Sequence, residues 1–133
     1  MKSGSDRRPR LHLDASFLIH ALVPDSPQAE VLGRWLASGR GVAMSTLAWA
    51  EVLCRLPQSN DQDLARRIVR EHIPVSLDDA TDAARLFKLT GQRAGTLLDC
   101  VVAAAAIQAG SPLATAEPQE FQGLRAHGLQ MGI

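Results

Sequence analysis

At 133 residues, with 46% hydrophobic and 21% charged side chains, the chain has the size and composition of one globular domain with a substantial core. That profile excludes disordered and fibrous classes, and no apolar run is long enough to span a bilayer. Lys and Arg together number 14, as do Asp and Glu, so no net field draws the protein onto nucleic acid. Lysine occurs only at positions 2 and 88; the remaining cations are Arg, the better phosphate fork, which leaves room for a local phosphate-binding patch. Cys54 and Cys100 form no C-x-x-C pair and fall in apolar segments, so two buried thiols in a reducing cytoplasm are expected. The amino terminus lacks a signal-peptide core, consistent with a cytoplasmic protein.

Residues 1–9 read as a flexible basic leader and residues 10–133 as a single domain. Leu11-His12-Leu13 reads as a short buried strand that ends on Asp14 and turns at once into an apolar helix, with Ser16 as its expected cap. Ser26-Pro27 opens the next helix, with Val31, Leu32, Trp35 and Leu36 on one face. The apolar residues of these two helices, Trp35 among them, are candidates for a partner groove or a homodimer face. Val42–Met44 is a second strand, and Ser45-Thr46 starts a helix through Glu51 that Pro57 stops. A helix from about Asp61 to Glu71 precedes a third strand, 73–77, whose Pro74 marks an edge or a strand start. A helix starting at Asp78 or Asp79 closes near Gly91, and 92–95 is a loop. Thr96 opens the most apolar helix, Leu97–Ala109. A strand over 112–115, a helical turn over 118–121 and a last strand over 129–131 complete the chain. Strands alternating with helices over short links predict an α/β three-layer sandwich with a mainly parallel sheet.

Four acids stand apart. Asp14 follows the first strand, Glu51 lies in the first turns after the second, Asp99 lies in the first turn of the long apolar helix, and Glu117 follows the strand at 112–115. A parallel sheet gathers such positions on one edge, where open α/β folds place their chemistry. Carboxylates in one pocket raise each other's pKa values, and a divalent cation with an all-oxygen preference, Mg²⁺ or Mn²⁺, removes that penalty. Plainer roles exist for each. Asp14 suits a turn, Glu51 a solvent-facing helix position, Thr96-x-x-Asp99 a capping box, and Glu117 an N-cap. Common placement is what sets the four apart. Glu117 and Glu120 both follow the strand at 112–115 and either could complete the site; Glu120 already has a sufficient role at the start of the helical turn after Pro118, so Glu117 is the expected fourth acid. The histidines at 12, 20, 72 and 127 show no metal-ligand spacing and read as structural or surface residues. No P-loop, G-x-S-x-G or G-x-G-x-x-G occurs.

The runs Leu13-Asp14-Ala15-Ser16, Ser45-Thr46-Leu47-Ala48-Trp49-Ala50-Glu51-Val52, Thr96-Leu97-Leu98-Asp99 and Leu113-Ala114-Thr115 resemble a PIN domain. More closely, they are similar to the VapC-type toxins of toxin–antitoxin pairs. The resemblance covers about residues 11–131. It implies an endoribonuclease dependent on Mg²⁺ or Mn²⁺, with Asp14, Glu51 and Asp99 matching the acidic metal site and Ser16 and Thr115 matching its supporting hydroxyls. It also implies an RNA substrate, a VapB-type antitoxin as partner and a homodimer. Two positions depart from the pattern: Glu117 stands where Asp or Asn is usual, and His12 occupies a strand position that is usually apolar. The competing reading is a PIN-like RNA- or protein-binding module with little nuclease activity. An aspartyl-phosphate phosphatase is disfavoured, because Ser16 stands where a second Asp is needed.

Overall fold

A computed structural model of the chain describes residues 7–91 and 96–133. Most of the expected leader, residues 1–6, and the expected loop at 92–95 lie outside the described residues. Strands β1 (Leu11–Leu13), β2 (Val42–Ser45), β3 (His72–Ile73) and β4 (Leu113–Ala114) form one sheet in the order β3-β2-β1-β4. Every pairing is parallel, with Leu11 opposite Val42, His12 opposite Leu113, and Met44 opposite His72. The helices are α1 (Ala15–Ala21), α2 (Pro27–Ala37), α3 (Thr46–Arg55), α4 (Ser59–Ile68), α5 (Leu77–Leu89) and α6 (Leu97–Ala109). A 3-10 helix, Pro118–His127, follows β4. The architecture is the expected α/β sandwich.

The order of the strands locates the crevice. From β1 the chain proceeds to β2 on one side, while β4 joins β1 on the other. The carboxyl ends of β1 and β4 therefore border a topological switch point, where an open parallel sheet leaves a cleft between diverging connections. All three residues of β1 are buried, and Phe17 and Leu18 of α1 are fully buried beneath them in sequence. α1 packs on α2 and α3, and α5 lies along α6. Four of the small buried residues of α6, Ala103 to Ala106, permit that close approach. Gly110, at φ 66°, ends α6 in the left-handed conformation that glycine adopts without a Cβ clash.

Several boundaries differ from expectation for local reasons. The cap of α1 is Asp14, not Ser16: Asp14 is extended and its Oδ1 accepts from Phe17 N at 2.8 Å, while Ser16 already lies inside the helix. The third strand is only His72–Ile73, ending before Pro74, which has no N–H to offer a ladder. α4 ends at Ile68, three residues early, with Val69 buried as the chain turns toward β3. α5 is capped by Ser76, whose hydroxyl accepts from Asp79 N while the Asp79 carboxylate returns to Ser76 N, so Asp79 closes a capping box instead of opening the helix. The turn expected at 118–121 extends to His127. The last expected strand reduces to a single bridge, Leu113 to Met131.

Side-chain placement adds three further findings. Cys54 is exposed, because α3 buries the face carrying Ala48 and Val52; Cys100 is buried as expected. Trp35 is half-buried and stacks on Phe17 with ring centroids 5.4 Å apart, so part of its surface serves the core. Pro9, assigned to the leader, is tied down through its carbonyl, which accepts from Arg40 Nε at 2.9 Å.

Candidate functional site

Asp14 ends β1 and caps α1, and that double duty fixes its carboxylate. Oδ1 accepts from Phe17 N and from Ser16 Oγ, each at 2.8 Å, and Oδ2 accepts from Thr115 Oγ1 at 2.5 Å. Thr115 is placed there because β4 pairs with β1 in parallel and ends one residue before it. The two hydroxyls brace the facing loop as well: Ser16 Oγ accepts from Ala116 N at 3.1 Å and Thr115 Oγ1 from Glu117 N at 3.0 Å. Burial raises the Asp14 pKa above the usual carboxylate range against the pull of these hydrogen bonds, and Glu117 adds to the rise. A carboxylate ringed by donors and still disfavoured as an anion is one that a cation would stabilise.

Around Asp14 the structure opens a cavity of about 380 Å³, whose lining includes Asp14, Ser16, Glu51, Asp99, Glu117 and Glu120. All four acids singled out in the sequence thus share one cavity. Glu51 arrives from the second turn of α3, which Ser45 at the end of β2 caps through Ala48 N at 3.1 Å. Its pKa is raised by burial and by Asp99 and Asp14, more than Arg55 lowers it. Asp99 arrives as the third residue of α6. There it also closes the capping box with Thr96, whose N donates to Asp99 Oδ2 at 3.2 Å. Capping and facing the cavity are therefore one arrangement, since the cap holds the carboxylate at the cavity wall. Burial raises the Asp99 pKa, with Glu117 contributing. Glu117 occupies the N-cap position of the 3-10 helix yet makes no capping bond with its side chain.

Two charged residues line the cavity beside the four expected acids. Glu120 was ranked behind Glu117 as the acid completing the site because the helix start gives it a sufficient role; it does lie in that first turn, and it lines the cavity beside Glu117. Burial, followed by Glu117, Asp99 and Asp14, pushes its carboxyl up to about 7. Its spacing three residues from Glu117, the two flanking Pro118, was the available signal. Arg55, the only cation lining the cavity among the described residues, lies one helical turn beyond Glu51; the i, i+4 relation to a candidate acid was the signal there. None of the four histidines lines the cavity.

The donor set suits a hard divalent cation, since carboxylate and hydroxyl oxygens alone face the space beside Asp14. Among the described residues no three acidic, His or Cys side chains are set close enough to enclose an ion by themselves.

The chain belongs to the PIN domain family, whose family model matches residues 11–124. Its fold is similar to several solved toxin–antitoxin structures. The DNA-bound VapBC of Salmonella typhimurium superposes with a TM-score of 0.74 at 15% identity, over 92% of this chain and 96% of that one. VapBC2 of Rickettsia felis, bound to a promoter DNA fragment, gives 0.71 at 19% identity over 91% and 96%. FitAcB of Neisseria gonorrhoeae gives 0.69 at 18% identity over 92% and 96%. No curated protein matches the sequence. Among the described residues no helix is long and apolar enough to cross a membrane.

Proposed function

We propose that the protein is a divalent-cation-dependent endoribonuclease acting as the toxin of a toxin–antitoxin pair. The observation that carries this reading is the convergence of Asp14, Glu51, Asp99 and Glu117 on one cavity at the carboxyl ends of β1 and β4. Membership of the PIN domain family and the likeness to VapBC complexes support it. Mg²⁺ or Mn²⁺ held among these four acids would supply Lewis acidity and a water of lowered pKa for phosphodiester hydrolysis. The chain's own contribution is positioning. Ser16 and Thr115 lock the Asp14 carboxylate in one orientation, so it needs no reorganisation when the substrate phosphate arrives. Glu120, with its carboxyl near 7, carries a proton part of the time at neutral pH and relieves repulsion between Asp99 and Glu117.

The partner proposed for the cavity is a VapB-type antitoxin that inserts an Arg, the side chain with the best fork for paired carboxylates. Leu97 and Leu98, each 46% exposed at the start of α6, offer an apolar rim beside the acids for the same segment.

The deciding experiment incubates the purified chain with single-stranded RNA in Mn²⁺, in Mg²⁺ and in EDTA. Cleavage is expected in either cation and none in EDTA, with strong inhibition on adding the co-expressed antitoxin. Absence of cleavage, with RNA binding retained, would favour instead the binding-module reading, to which the wide spacing of the acids lends its support.

A further inference from the structure

We propose that Arg55 is a substrate-positioning residue, its guanidinium taking the non-bridging oxygens of the RNA phosphate next to the one that meets the acids. The inference rests on the nuclease reading and deepens it.

The cavity poses an electrostatic problem that its acids make worse. RNA is a polyanion, and five carboxylates line the space it must enter. A divalent cation offsets part of that charge, but only where it sits. Arg55 supplies positive charge elsewhere in the same cavity. It lies four residues after Glu51 on α3, hence on the same face and about 6 Å farther along the helix axis. It is exposed, in the last turn of the helix, while Glu51 is half-buried. Acid and cation thus form a gradient from the cavity floor to its mouth.

Arg55 lowers the Glu51 pKa from a distance, but its guanidinium is not tied up in an ion pair. The ion pairs among the described residues use other arginines: Arg10 with Glu71, Arg66 with Asp63, and Arg85 with Asp82. Arg55 has no hydrogen bond or ion pair among them, although Glu51 lies one turn away. Arg55 is exposed and lines the cavity, so its five N–H donors are available to a phosphate entering it.

The test uses the whole chain, as wild type, Arg55→Gln and Arg55→Lys. Binding of a short fluorescent single-stranded RNA is followed by anisotropy in Ca²⁺ over a series of salt concentrations. Cleavage of the same RNA is measured in Mn²⁺. Arg55→Gln is expected to weaken binding about tenfold, as for loss of a charged hydrogen-bonding partner. It should also reduce the slope of log affinity against log salt by about 0.7, the value for one phosphate contact on a single strand. KM should rise about tenfold with kcat within about threefold. Arg55→Lys should restore the slope but only part of the affinity, because it keeps the charge and loses the fork. Melting temperature and its response to Mn²⁺ should match wild type in both variants. An unchanged affinity and slope in Arg55→Gln, beside a wild type that cleaves, would overturn the assignment of Arg55 alone. A changed Mn²⁺ response with unchanged RNA binding would do the same, making Arg55 a partner of Glu51. A wild type that neither binds nor cleaves RNA would overturn the nuclease reading, and Arg55 with it.

Discussion

Asp14 and Asp99 line the same cavity, one from the end of β1 and one from the start of α6, and are held in different ways. Asp14 is 7% exposed and accepts three hydrogen bonds from a backbone N–H and two buried hydroxyls. Asp99 is half-buried, is held on one oxygen by its own helix cap, and shares its surroundings with Glu117 and Glu120. One wall is rigid and fully satisfied; the other is a set of acids that repel one another. A site of this kind carries its geometry on the sheet side and its adjustable charge on the α6 side. The rigid wall should then govern whether chemistry occurs, and the soft wall how tightly a cation is held.

The largest expected effect follows from removing the rigid anchor's charge. Asp14→Asn should lower Mn²⁺-dependent RNA cleavage by at least about a thousandfold, roughly 4 kcal/mol in the barrier, with the circular dichroism spectrum unchanged. A variant retaining a tenth of wild-type activity would show that the anchor is dispensable.

The interior of β1 offers a pH test. His12 alternates with Leu11 and Leu13 along the strand, is 1% exposed, and leaves Nε2 without a hydrogen-bond partner. Burial, helped by Arg10 and opposed by Asp79, lowers its pKa from 6.5 to about 4. Between those values the unfolded chain binds more protons than the folded one, so stability is full above pH 6.5 and is lost as pH falls toward 4. The loss attributable to this group is up to about 3 kcal/mol. Urea denaturation across that range should show it, and His12→Leu should flatten the curve. An equally steep acid limb in His12→Leu would assign the limb to other groups.

Thr115→Val tests the brace of the rigid wall. The change preserves shape but leaves Asp14 Oδ2 and Glu117 N without their hydroxyl partner. Stability should fall by about 1–3 kcal/mol, and cleavage by about tenfold as Asp14 loosens. Loss of stability without loss of activity would separate the brace from the chemistry.

The smallest effects belong to the soft wall, where the two glutamates can be ranked. Glu117→Gln should lower cleavage at least about tenfold, roughly 1.4 kcal/mol. Glu120→Gln resembles a carboxyl already protonated part of the time near pH 7 and should stay within about threefold of wild type. The reverse ranking in a side-by-side assay would exchange their roles.

What could be read in the sequence, and what could not, divides along the same line. The strand-to-helix corner at Asp14 was legible because its signals are local: an apolar alternation, one acid and a helix start within nine residues. The ordered placement of Glu51, Asp99 and Glu117 was legible because a parallel sheet imposes it. The capping box at Thr96 and Asp99 was legible too, but it looked like an alternative to a cavity role, and the structure shows that one geometry serves both. Arg55 was not placed in the site, and Glu120 could not be separated from Glu117 as its fourth acid, since their position depends on how the end of α3 and the 3-10 helix meet α6. Short-range patterns do not encode that packing. Asp14 and Ser16 were both open as caps of α1 because Asp and Ser are equally good caps, and only the parallel register with β4 makes Ser16 more useful as a donor to Asp14.

The central claim is that the acids around Asp14 form a cation site, and anomalous diffraction tests it most directly. Crystals grown with Mn²⁺ should show an anomalous peak in the cavity between Asp14 and Asp99, and crystals of Asp99→Asn grown in the same way should show a much weaker one. A wild-type map with no peak in that cavity, while Mn²⁺ is seen elsewhere on the surface, would contradict the account.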